Sequence, residues 1–65
     1  MGMQETMKII KELGGQASAK EIKQKLRQNY SEYSYAEYLT RDLRKLRHYG
    51  KIEFNETTRM WYIKE

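Results

Sequence analysis

Apolar residues recur at helical spacing from the start of the chain. Met3, Met7, Ile10 and Leu13 share one side, Thr6 and Ile9 lie at its margins, and Glu5, Lys8, Lys11 and Glu12 face away. This predicts a helix over residues 3–13, stopped by Gly14-Gly15 because glycine accepts the left-handed conformation of a helix C-terminus. Gln16 and Ala17 then leave room for a short extended segment. Ser18-Ala19-Lys20-Glu21 has capping-box spacing: the serine hydroxyl accepts from a backbone N–H while the glutamate reaches back. Ala19, Ile22, Leu26 and Tyr30 follow on a narrow stripe in otherwise polar sequence, which predicts a second helix.

Residues 29–33 read as a connection. A second capping box, Ser34-Tyr35-Ala36-Glu37, predicts a third helix over residues 34–49, with Tyr35, Leu39, Leu43 and Leu46 inward and Tyr38 and Tyr49 at the edge. Gly50 is its stop. The period then changes to alternation: Ile52 and Phe54 oppose Lys51 and Glu53, and Trp61 and Ile63 oppose Met60 and Tyr62. Asn55-Glu56-Thr57-Thr58 supplies the turn, so the chain closes in a β-hairpin, with Ala17 placed to add a third short strand. The helical stripes and Ile52, Phe54, Trp61 and Ile63 are the expected core.

At 65 residues the chain is one domain, 1–65, with a thin core. It has no cysteine and a single histidine, which excludes a disulfide staple and Cys-based or His-rich metal sites. No apolar run approaches a membrane span, and Met1-Gly2-Met3-Gln4-Glu5 lacks a secretory layout. Thr6 stands where a myristoylation pattern wants Ser or Thr, but the segment runs straight into a helix. No nucleophile with a base and acid at recognisable spacing is evident, and no glycine-rich phosphate loop. The expectation is a soluble cytoplasmic binding module, not an enzyme, with no cofactor, metal or small-molecule substrate and no membrane association.

Charge position is more informative than its total. Between Thr40 and Lys51 lie Arg41, Arg44, Lys45, Arg47 and Lys51 against Asp42 alone, a surplus equal to the whole chain's formal charge of +4. On a helical wheel Ala36, Glu37, Thr40, Arg41, Arg44, Arg47 and His48 spread opposite Leu39, Leu43 and Leu46, with Lys45 at the border. A helix with one side committed to a core and one cationic side fits the major groove, whose width admits it. A plain solvated face has the same pattern. Asp42 falls inside the apolar arc and is expected to bond a tyrosine hydroxyl or a lysine of helix one or two. Tyr35 reads as core; Tyr33 and Tyr38 suit either an interface or nucleic acid.

The order helix, strand, helix, helix, strand, strand resembles the winged helix-turn-helix DNA-binding domain over nearly the whole chain. The likeness is carried by Leu13-Gly14-Gly15, by Ser18-Ala19-Lys20-Glu21-Ile22, and by the leucine-spaced run from Leu39 through Gly50 into Ile52. It implies an α+β winged helix: a three-helix bundle with a two- to three-stranded C-terminal β-wing. It further implies a small, nucleoid-associated transcriptional regulator that inserts helix 34–49 into the major groove of double-stranded DNA.

In such an arrangement the N-terminal part of the third helix meets bases, which makes Ala36, Glu37, Thr40, Arg41 and Arg44 candidate readers. Glu37 is also the capping-box acid. Lys20, Lys23, Ser34, Lys45, Arg47, His48 and Lys51 are candidate phosphate contacts, and Arg59 is the one basic residue near the wing tip. Glu53 and Glu56 depart from a basic wing. Two-fold reading of half-sites implies a homodimer, through the N-terminal methionines or the tyrosine cluster. The alternative is a winged-helix protein–protein module whose basic face meets an acidic partner in a larger assembly.

Overall fold

The computed structural model describes residues 2–30 and 38–64. Three helices and a three-stranded antiparallel sheet follow one another as α1 (Gly2–Glu12), β1 (Gln16–Ala17), α2 (Ala19–Asn29), α3 (Leu39–His48), β2 (Ile52–Asn55) and β3 (Met60–Ile63). The strand order in the sheet is β1-β3-β2. This is a small α+β fold in which the hairpin returns beside the helices and β1 pairs with its far strand.

Local chemistry accounts for the element ends. After α1, the N–H of Gly14 donates to the Lys11 carbonyl at 3.1 Å and that of Gly15 to the Ile10 carbonyl at 2.9 Å. These paired bonds satisfy the last carbonyls of the helix, and they require a left-handed residue, which Gly14 supplies at φ +92°. The same arrangement ends α3, where Gly50 at φ +76° donates to Arg47 at 3.0 Å and Lys51 to Leu46 at 2.9 Å. At the start of α2 the capping box is complete. Glu21 N–H donates to Ser18 Oγ at 3.2 Å, and Ser18 N–H donates to Glu21 Oε1 at 3.0 Å.

The core comprises Ile9 and Ile10 of α1, Ala17 of β1, Ile22 and Leu26 of α2, Leu39, Leu43 and Leu46 of α3, and Ile52 of β2. Three expectations are corrected here. The inward side of α1 centres on Thr6, Ile9 and Ile10, while Met3, Met7 and Leu13 are only half-buried. Because α2, α3 and the sheet all pack against α1, its buried arc is wider than one stripe and turns past the methionines. Ala19 is exposed in the first turn of α2. On the sheet, Ala17, Ile52, Phe54, Trp61 and Ile63 share the helix-facing side, but only Ala17 and Ile52 are buried and Phe54, Trp61 and Ile63 are half-buried.

In the hairpin Ile52 pairs with Ile63, Glu53 with Tyr62, Phe54 with Trp61 and Asn55 with Met60. At its tip Asn55 Oδ1 accepts from the N–H groups of Thr57 and Thr58 at 2.9 and 3.3 Å, and Arg59 N–H donates to the Asn55 carbonyl at 2.7 Å. Arg59 closes the loop at φ +59°.

The third helix is shorter than the expected 34–49. It begins at Leu39, and Tyr38 precedes it at φ −99°, ψ 9° with no side-chain capping bond. The expected second capping box, Ser34 to Glu37, and the core assignment of Tyr35 lie outside the described residues, as does Tyr33.

Candidate nucleic-acid interface

The third helix sorts its residues by chemistry. Leu39, Asp42, Leu43 and Leu46 are buried, whereas Thr40, Arg41, Arg44, Lys45, Arg47 and His48 are exposed. The two sets alternate at three- and four-residue spacing, so burying the leucines against α1, α2 and β2 turns the cations outward. Asp42 is the acid inside the buried stripe, at 4 % exposure. Its ion-pair neighbour among the described residues is Arg41, with Nε 4.0 Å from Oδ1; of the tyrosines expected near it, Tyr33 and Tyr35 lie outside the described residues. In the first turn of α3 its carboxylate also faces the positive end of the helix dipole.

The exposed cations differ in how far they are engaged. Arg41 lies over the Tyr38 ring, its guanidinium carbon 4.7 Å from the centroid, so the half-exposed tyrosine steadies it at the helix start. Arg47 turns towards the hairpin and places Nε 2.8 Å from Glu53 Oε1. The Phe54 N–H donates to the same oxygen at 3.0 Å. That bond, ahead of the charges of Arg47 and Lys64, holds the Glu53 carboxyl below its ordinary value and outweighs partial desolvation. Arg47 is therefore engaged by the chain's own carboxylate, which sets it apart from the other candidate phosphate contacts. Arg44 makes no ion pair or hydrogen bond with any described residue. At the helix end the His48 and Tyr49 rings meet edge-on, centroids 5.7 Å apart.

Thr40, Arg41, Arg44, Lys45, His48 and Tyr49 together line one broad, open depression of about 630 Å³. Lys20 and Lys23 are exposed on α2, whose first residue, Ala19, shares a separate cleft with Thr40 and Arg44, so the start of α2 adjoins the basic side of α3. Lys51 is exposed but lines a different recess, with Met3, Met7, Leu46 and Tyr49. Arg59 is exposed at the hairpin tip, apart from these depressions. Ser34, Ala36 and Glu37 lie outside the described residues.

The cleft shared by Ala19, Thr40 and Arg44 also holds Leu43, Arg47, Phe54 and Trp61, and sequence reasoning missed it. No local signal marks it, because the cleft brings Phe54 and Trp61 of the hairpin against Thr40, Arg44 and Arg47 of α3, segments remote along the chain. Among the described residues no group of three His, Cys, Asp or Glu side chains is placed to hold a metal ion, and no helix is long and apolar enough to cross a membrane. Comparison of the chain with protein-family models, with curated proteins and with solved structures gave no match in any of the three.

Proposed function

We propose that this chain is a winged-helix module that binds double-stranded DNA, laying the exposed side of α3 into the major groove as a small transcriptional regulator does. The observation that carries the reading is the sorting of α3: its leucines are buried, while Thr40, Arg41, Arg44, Lys45 and His48 line one outward depression. The element order and the β1-β3-β2 sheet support the winged-helix part. In this reading Thr40, Arg41 and Arg44 face base edges, and Lys20, Lys23, Lys45 and Lys51 meet phosphates. Arg47, held by Glu53, braces the hairpin against α3.

Binding measured against duplexes selected from random sequence tests the proposal. With these four phosphate contacts, affinity should fall by roughly 150-fold between about 50 and 200 mM salt. Arg41→Ala and Arg44→Ala should each weaken binding by about 1–3 kcal/mol; Arg44→Ala should leave the melting temperature nearly unchanged, whereas Arg41→Ala should lower it by removing the neighbour of the buried Asp42. Affinity equal to the parent's in both variants rejects groove docking. Reading two half-sites calls for a dimer, and the apolar recess between Met3, Met7, Leu46 and Tyr49 is the surface suited to a second copy. A solution mass of one chain at tens of micromolar removes the dimer and leaves monomeric binding to be judged by the salt slope.

A second reading, a protein–protein module, is favoured by one observation: Glu53 neutralises Arg47 at the edge of the basic face. It predicts shallow salt dependence and no duplex selected from the random pool.

A further inference from the structure

Beside the outward face of α3, the hairpin and the start of α2 border a second recess of about 300 Å³. Its wall is the cross-strand pair Phe54 and Trp61, with ring centroids 5.0 Å apart and planes inclined at 54°. Both rings are half-buried, so part of each aromatic surface remains open. Leu43, which is buried, and Ala19 also line the recess, and Arg44 and Arg47 stand at its edge. Glu53 engages Arg47, whereas Arg44 has no partner among the described residues. The open part of these rings offers an apolar face to a flat group.

The chemistry that complements the recess is a flat group, apolar on its faces, joined to an anion. A nucleobase on its phosphate has that form: the ring lies against the aromatics and the phosphate reaches the Arg44 guanidinium. A paired base within a duplex does not qualify, because its faces are covered by its neighbours. We infer that the recess between α3 and the hairpin takes one unstacked base, with the adjoining phosphate on Arg44, and so directs the chain to duplexes that carry an unpaired end. This rests on the nucleic-acid reading above and adds to it a preference among DNA forms. Arg44 lines both the recess and the outward depression, which makes the two surfaces continuous.

The test uses the full chain, a blunt 12-base-pair duplex and the same duplex bearing a six-nucleotide thymidine overhang. Trp61 is the one tryptophan, so its emission reports on the recess directly. The overhang duplex is expected to bind about tenfold more tightly than the blunt one, the gain of a single base–aromatic stack, and to quench Trp61 to saturation. Trp61→Leu and Phe54→Leu, followed by anisotropy of labelled DNA, should bring the overhang duplex down to the blunt value while blunt-duplex affinity stays level. Should Trp61→Leu fail to fold, Phe54→Leu carries the comparison. Equal affinity for both duplexes with unchanged Trp61 emission overturns the inference and leaves duplex binding standing. Absence of binding to either duplex overturns both readings.

Discussion

Among the described residues Arg59 is the one non-glycine with a positive φ, +59°. The loop before it is held by the backbone N–H groups of Thr57, Thr58 and Arg59, which donate to Asn55 oxygens, so the left-handed residue at its end is imposed by the turn. A residue with a Cβ in that region costs about 1–2 kcal/mol. Glycine removes the strain but returns about 0.4–1 kcal/mol through the greater freedom of its unfolded chain. The balance for Arg59→Gly is a gain of about 0.5–1 kcal/mol, which for a domain of this size raises the melting temperature by about 2–8 °C.

Arg59→Ala removes the same cation and keeps the strained backbone, so its stability should stay within about 0.5 kcal/mol of the parent. Thermal melts of the three proteins by circular dichroism measure this. Duplex binding by the same proteins gives the second half of the test. If the arginine is kept at a strained position because the wing uses it, both variants lose affinity alike, by about fivefold for a contact of about 1 kcal/mol. A glycine variant that melts no higher than the alanine variant refutes the strain argument. Unchanged affinity in both removes Arg59 from the interface.

Glu53 provides a pH and a charge prediction. Its carboxyl titrates below the ordinary value in the folded chain, so its contribution to stability is complete above the unfolded value of about 4.5 and is lost as pH falls through the lower, folded value. Acid melts of Glu53→Gln should lose that part of the pH dependence, and an unchanged acid limb counts against the pairing. The same variant frees Arg47 for phosphate, so duplex affinity should rise and the salt slope steepen by about 0.9. Gly50→Ala should lower stability by about 0.5–1 kcal/mol in urea titration, the left-handed strain less the unfolded-chain freedom that alanine removes. Nothing lies within 4 Å of the added Cβ, so the loss would be purely conformational at φ +76°; a smaller loss would mean that the turn relaxes.

Much of this architecture was legible from short-range patterns. Gly14 and Gly50 marked both helix ends, and Ser18 with Glu21 marked the start of α2, because each signal is a hydrogen-bonded motif completed within about six residues. The switch from helical to alternating period after Gly50 located the hairpin, and Ala17 belongs to the expected third short strand, where it pairs with Trp61. The leucine stripe of α3 implied its cationic reverse, since a helix has only two sides to divide. Thr40, Arg41, Arg44, Lys45 and His48 do share one surface, whereas Lys51 and Arg59 belong to others.

What the amino-acid order determined by itself is therefore the set of elements, their polarity and the candidate basic side, all of which depend on neighbours a few residues apart. Tertiary packing decided the rest. It chose Thr6, Ile9 and Ile10 as the inner arc of α1, because three elements close on that helix from different directions. It drew Arg47 onto Glu53 by folding β2 back beside α3, and it left Phe54 and Trp61 only half-buried beside α3. These outcomes depend on distances between segments remote along the chain, and such distances exist only once the core has formed.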